Sequence, residues 1–405
     1  MLKVIVIGAG PAGIMAALTA AKENEVVLVE RNNEIGKKLK LTGGGRCNIT
    51  NYRNINDFFE KIVTNNKFLY SALYSFTNED LLNYFNNQNL EYKVEFENDY
   101  KVYTKNDKAD DVIEVLKKDL NRKKVKILYN TKVQELIISD NTIKGIITDK
   151  NEKIYADKII ISTGGKSYPN TGSDGTMYNI LEKYGHKINH QYPALVPLVV
   201  KEGFIKELQG ISMKDVVIKT KIKNKRIQKE GDMIFTHFGI SGPAVLKFSS
   251  YINKILDKQN VEIRLDFLKN ISKEELAKII RANKAKLAMY NLKGHLPVKF
   301  IELVGKRLSI EKIKAADLKR EDEIKLIENI KEMKLTVEDT ISIKGAMVTS
   351  GGVNVKEINS STMESKIIRN LYFAGEIIDV DAETGGYNLQ IAFSTGYLAG
   401  KLLNS

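Results

Sequence analysis

The chain has a single cysteine, Cys47, among its 405 residues, which excludes an internal disulfide framework. It contains no CxxC and no HExxH, so the usual metal-ligand spacings are missing and no metal is expected. Gly239-Ile240-Ser241-Gly242-Pro243 lacks the final glycine of a serine nucleophile elbow. No stretch approaches the roughly 20 apolar residues of a membrane-spanning helix. The amino terminus enters a core strand almost at once, so no cleavable signal is expected. These absences lead to the expectation of a cytoplasmic protein with no membrane partner. There is no internal repeat and no low-complexity linker.

What is present starts at residue 4. Val4-Ile5-Val6-Ile7-Gly8-Ala9-Gly10-Pro11-Ala12-Gly13 reads as an apolar strand, a glycine turn and the start of a helix. A second strand, Val26-Val27-Leu28-Val29, ends in Glu30, 17 positions after Gly13. Glycines at 8, 10 and 13 let backbone approach a pyrophosphate, and Pro11 and Ala12 open a helix with free N–H groups and a positive dipole end. An acid about 20 residues on accepts hydrogen bonds from an adenosine ribose. The unit predicts dinucleotide binding; the plainer alternative is an ordinary tight strand–helix turn.

Net charge is +13, with a pI near 9.3. This is either a solvated lysine-rich surface or an attraction for polyanions, including RNA. Basic clusters lie at Lys219–Arg226 and across Lys312 to Arg320, both outside the dinucleotide motif. No second complete GxGxxG occurs.

Along the chain, residues 56 to 120 read as mostly helical, and further strands are expected at 125–128, 145–147 and 158–162. Asp174 is placed to cap a helix that Gly185 ends. Strand texture follows at 196–200, 216–222 and 261–265. Helix formers dominate from 271 to about 330, with Ser272 and Glu275 in a capping box. From Ala346 glycine-rich strand texture returns. The expected organisation is a discontinuous nucleotide-binding domain, 1–190 and 346–405, with a β-rich insert at 191–270 and a helical insert at 271–345.

Four segments, in order, carry a family resemblance: Gly36-Lys37-Lys38-Leu39 through Thr42-Gly43-Gly44-Gly45-Arg46-Cys47-Asn48; Phe235-Thr236-His237-Phe238-Gly239-Ile240-Ser241-Gly242-Pro243; Val348-Thr349-Ser350-Gly351-Gly352-Val353; and Ala374-Gly375-Glu376 through Gly385-Gly386-Tyr387-Asn388-Leu389-Gln390. Nearly the whole chain resembles BaiN-like and aminoacetone-oxidase-like NAD(P)/FAD-dependent oxidoreductases. The resemblance implies an α/β, glutathione-reductase-type Rossmann FAD domain with an inserted β-barrel and a helical subdomain. It implies FAD in the first fingerprint.

The resemblance assigns cofactor contacts to Arg31, Lys38, Leu39, Val133, Thr163 and Gly164, with Val133 meeting adenine. It brings Gly375, Glu376 and Asp379 to the ribityl and phosphate region. The triple glycine lets Gly44, Gly45, Arg46, Cys47 and Asn48 lie against a flat ring; the alternative is a sharp turn with Arg46 as a surface cation. Gly386, Tyr387, Asn388 and Leu389 open a last helix whose dipole would stabilise charge developing on a reduced flavin. Thr349, Gly351 and Gly352 are expected on the substrate side.

Adding hydride to an activated double bond requires a proton at the neighbouring carbon. Cys47, beside Arg46, either supplies it or packs as a small buried residue. His237 is either a proton donor and acceptor, as imidazoles are near neutral pH, or a structural histidine. The expected function is NAD(P)H-driven reduction of a conjugated C=C bond, with NADH or NADPH as transient reductant. The resemblance implies a substrate that is either uracil in 23S ribosomal RNA, giving dihydrouridine, or a small enone of steroid or bile-acid type. The alternatives are a flavin amine oxidase acting on aminoacetone or an amino acid with O2, and a non-catalytic RNA-binding flavoprotein.

Overall fold

Val4, Ile5, Val6 and Ile7 are all buried, as a strand covered on both faces demands. In the computed structural model, which describes residues 1–403, Lys3–Ile7 is the central strand of a five-stranded parallel sheet. The order is Leu371–Phe373, Lys158–Ile161, Lys3–Ile7, Glu25–Val29, Lys126–Leu128. Ile7 stands opposite Val29 on one side and Ile161 on the other, so these strands end level with one another. In open parallel sheets, ligands bind just beyond these carboxyl ends.

The first helix, Pro11–Ala20, crosses from the central strand to its neighbour. The last helix, Tyr387–Gly400, packs on it with small residues at the contact: a Cβ on Gly396 would stand 2.2 Å from the Ala12 carbonyl oxygen. The segment from 55 to 122 holds helices Ile55–Lys61, Asn78–Asn87 and Ala109–Arg122, but also the antiparallel pair Tyr92–Glu95 and Lys101–Thr104, short strands in largely helical texture. Asp174 Oδ1 accepts from the Thr176 N–H at 3.0 Å at the start of helix Thr176–Lys183.

The chain divides into two compact units, Met1–Tyr192 with the segment from Ile343 onward, and Pro193–Ser342. The second is built on a closed barrel of six strands: Leu198–Val200, Gly239–Ser241, Lys225–Phe235, Ser212–Ile222, Val261–Asp266 and Met333–Thr340. Helix Pro243–Leu256 buries Val245, Phe248 and Ile252 in its core. The capping box at Ser272 and Glu275 is present on helix Lys273–Ile280.

The split into a β-rich insert at 191–270 and a helical insert at 271–345 differs from this arrangement. Met333–Thr340 closes the barrel from within the segment read as helical. Leu276, Phe300, Leu326 and Ile330 from the helices share one apolar cluster with Ile218, Ile263 and Leu335 from the strands. Strands and helices of Pro193–Ser342 thus form one compact unit around one core.

Candidate functional site

A groove enclosing about 1440 Å3 of non-atom space, open solvent included, runs past the carboxyl ends of the central strands. Its lining comes from the first unit. Gly8, Ala9, Gly10, Pro11 and Ala12 form one wall. At Gly10 the position of an absent Cβ has nothing within 4 Å, so backbone is bared to the groove. The first N–H groups of a helix have no intrahelical acceptor and face this space.

Glu30, just past the second strand, is buried and hydrogen-bonded at both oxygens, with acceptor capacity left on Oε2. Oε2 accepts from the Ala9 N–H at 2.8 Å, and Oε1 accepts from the backbone and side-chain nitrogens of Asn32 at 2.8 and 2.7 Å. The acid thus pins the glycine turn while lining the groove. Next to it, Arg31 pairs with Asp174 at 2.5 Å. Burial alone would raise the Asp174 carboxyl, but Arg31 and Thr176 hold it down at about 2. Val133 and Leu39 contribute apolar wall.

Further along, Lys38 Nζ lies 2.6 Å from Glu376 Oε2 and 2.6 Å from Ser167 Oγ. Glu376 Oε1 accepts from Ser167 Oγ at 2.9 Å and from the Thr349 N–H at 2.7 Å. Four distant segments are tied at one carboxylate. Gly375, Glu376, Asn388 and Leu389 close the far wall, the last two in the first turn of the final helix.

The chain matches, over residues 2–402, the family model described as HI0933-like protein Rossmann domain. The protein belongs to this family. It is 33% identical to the 3-dehydro-bile acid delta(4,6)-reductase of Clostridium scindens, over 99% of this chain and 98% of that protein. It is 31% identical to the ribosomal RNA dihydrouridine synthase of Haemophilus influenzae, over 97% of this chain and 96% of the other. Among solved structures, it resembles the 3-ketosteroid-delta4-(5alpha)-dehydrogenase of Rhodococcus jostii RHA1, with a TM-score of 0.53 and 14% identity, over 98% of this chain and 96% of that one. That last likeness is one of fold. The protein is an FAD-binding oxidoreductase.

The residues fit FAD on their own terms. Thr163 Oγ1 and Ser173 Oγ are buried at the groove wall with no hydrogen-bond partner, a costly state that a polar ligand relieves. The bared backbone at Gly10 suits a pyrophosphate, and Gly164, with φ +74°, lines the same wall.

Several residues read as cofactor contacts do not line this groove. Gly13 faces the Gly8 carbonyl, so it serves the packing of helix on strand rather than the approach to phosphate. Gly44 and Gly45 are exposed. Arg46 is held by Glu95 and by Asp107 (2.7 Å), its guanidinium 3.9 Å over the Tyr103 ring; it is neither a free surface cation nor turned to the groove. Cys47 is fully buried, and burial pushes its thiol up to about 12. That makes it a poor proton donor. The Asn48 amide donates to Thr50 O at 2.9 Å and accepts from the Gly386 N–H at 2.8 Å, so both residues serve to cap the final helix. Tyr387 is buried with its ring edge-on to Phe58 at 4.9 Å. Asp379 Oδ2 accepts from Asn189 at 2.8 Å and Asn65 at 3.2 Å.

His237 belongs to the second unit, exposed in the turn between two barrel strands, with its ring edge-on to Phe238 at 4.9 Å. Gly351 and Gly352 are packed under the backbone of His190 and Ile377, and Thr349 anchors Glu376, so these three are structural.

The groove also takes Asn32, Thr131, Ser173, Thr176, Met177 and Met347, none of them singled out by sequence. Asp174 had a local signal as a helix cap; the others meet the groove only through tertiary folding. No group of three or more His, Cys, Asp or Glu side chains able to hold a metal occurs among the described residues. No helix among them is long and apolar enough to cross a membrane.

Proposed function

We propose that this protein reduces a carbon–carbon double bond conjugated with a carbonyl, with NADH or NADPH as reductant, and that its substrate is uridine in ribosomal RNA. FAD, when bound, accepts hydride from a nicotinamide and passes it to carbon. Two relatives matched end to end support the reaction class, one named a delta(4,6)-reductase and the other a dihydrouridine synthase.

The distribution of charge is the observation that carries the choice of RNA over a small enone. The second unit holds 30 Lys and Arg against 20 Asp and Glu, a net +10 of the total +13. The first unit, which carries the groove, is close to balanced at +3. A steroid-type enone with at most one carboxylate needs little of such a field, whereas a chain of phosphates draws on all of it.

In this reading Glu30 holds the adenosine ribose, Gly10 admits the pyrophosphate and the apolar walls exclude water. The amino-terminal end of Tyr387–Gly400 stabilises negative charge beside it. Of the two residues considered for proton handling, Cys47 is sealed in the core, and Arg46 beside it is locked in ion pairs. The proposal that His237 delivers the proton is carried by its sequence motif, Phe235-Thr236-His237-Phe238-Gly239.

The test is deletion of the gene followed by mass spectrometry of ribosomal RNA. A lost dihydrouridine, restored by the wild-type gene, is the expected result. Unchanged RNA would overturn the choice of substrate and leave the enone. Peroxide release from an amine without nicotinamide would overturn the reaction class. His237→Gln should slow substrate reduction far more than it weakens FAD affinity; the reverse pattern would remove His237 from proton transfer.

A further inference from the structure

Residues 276–301 contain six Lys and Arg and no Asp or Glu. Within them Tyr290 is 44% exposed, with Lys286 Nζ and Lys293 Nζ 4.5 and 4.4 Å from its ring centroid. The platform is rigid underneath. Ala288, Met289 and Leu292 are buried in the second unit's core, and Asn291 donates to the Ile280 carbonyl at 2.8 Å. It is also joined to the second basic cluster of the sequence. Leu287 bridges to Lys314, and the Ala288 N–H donates to the Ile313 carbonyl at 2.9 Å, so exposed Lys312 and Lys314 flank the same edge.

We propose that this patch is the surface that docks single-stranded RNA, with a base stacked on Tyr290 and the backbone phosphates taken by Lys284, Lys286, Lys293, Lys312 and Lys314. The exposed Tyr290 ring offers a face on which a base of any sequence stacks. Lysines lying on that face are held only by weak, solvent-exposed cation–π contacts, so a base displaces one at small cost and its phosphate recaptures the ammonium. The hairpin at Lys219–Arg226 is equally basic but carries no aromatic residue, so it offers attraction without stacking. The proposal deepens the RNA reading above and rests on it.

The experiment uses the full-length FAD-loaded protein, a labelled single-stranded U-rich RNA 15-mer and heparin as a base-free polyanion. Tyr290→Ala should weaken RNA binding about tenfold and leave heparin binding unchanged, while Tyr290→Phe keeps wild-type affinity. Lys286→Gln with Lys293→Gln should lower the slope of log affinity against log salt by about 1.4, two phosphate contacts on a single strand. Unchanged flavin absorbance and melting temperature in each variant confirm the fold. If the wild type binds the 15-mer and forms dihydrouridine in ribosomal RNA while all three variants match it, the surface is wrong and the substrate stands. Equal losses on heparin and RNA with Tyr290→Ala would overturn stacking and leave a general anion surface. If the wild type neither binds RNA nor forms dihydrouridine, both the surface and the substrate fall.

Discussion

A Cβ on Gly13 would stand 1.9 Å from the carbonyl oxygen of Gly8. The first helix therefore rests on the turn that leads into it, and no side chain of any size fits between them. Gly10, two residues after Gly8, has φ −81° and empty space where a Cβ would go. Two glycines of one motif thus have opposite duties, one toward the fold and one toward the ligand.

Alanine at each position separates these duties. Gly13→Ala should lower stability by about 3 kcal/mol, the upper range for overpacking, because the clash is with backbone that cannot swing away. Gly10→Ala should cost the apo-protein only about 1 kcal/mol, as the poorer N-cap residue, yet weaken FAD binding at least tenfold. Urea unfolding and flavin fluorescence titration read the two effects. Wild-type FAD affinity in Gly10→Ala would mean that the pyrophosphate does not lie there.

Cys47 should prove inert in the folded protein. Its burial keeps the thiol protonated across the working pH range. Iodoacetamide at pH 8 should leave it unmodified until the protein is unfolded in urea, since only the thiolate reacts. Cys47→Ala should retain full turnover and cost about 1 kcal/mol of stability, the scale of one small buried group. Rapid alkylation of native protein, or a tenfold fall in turnover with FAD still bound, would return Cys47 to the mechanism.

The Arg31–Asp174 pair gives stability a specific acid limit. The Asp174 carboxyl is depressed from 3.8 to about 2 in the folded state, so the unfolded chain takes up its proton first as pH falls. The stabilisation is complete above pH 3.8 and disappears as pH drops through about 2. Both side chains are about a third exposed, which cuts its worth to about 1 kcal/mol. Asp174→Asn keeps a capping side chain but loses the charge, so the gap between wild type and variant in urea midpoint should be clear at about pH 6 and nearly closed only at about pH 1.5. A gap that stayed constant with pH would assign the effect to capping instead.

The adenine half of the groove was legible in the sequence because its parts are local. Strand, turn, helix and Glu30 fall within 30 residues, and each signals itself by apolar run, glycine or acid. The opposite end depends on partners far apart in the chain. Lys38 lies 338 residues from Glu376 and 129 from Ser167, and no spacing rule announces that they meet. Ser173 looks like any hydroxyl residue until burial leaves it unpartnered, whereas Thr163 is marked by the family resemblance. The barrel's closing strand does carry a mark, with Met333, Leu335 and Val337 buried alternately. Only Glu332 separates it from helix Arg320–Lys331, so helical texture runs into it with no turn residue to announce the change.

Strand Leu371–Phe373 and helix Tyr387–Gly400 set a timetable for synthesis. The cradle at residues 8–12 is translated well before the wall opposite it, at residues 375–389. Nascent chains arrested before residue 371 should emerge colourless, and vitamin supply should govern the fate of finished polypeptides rather than growing ones.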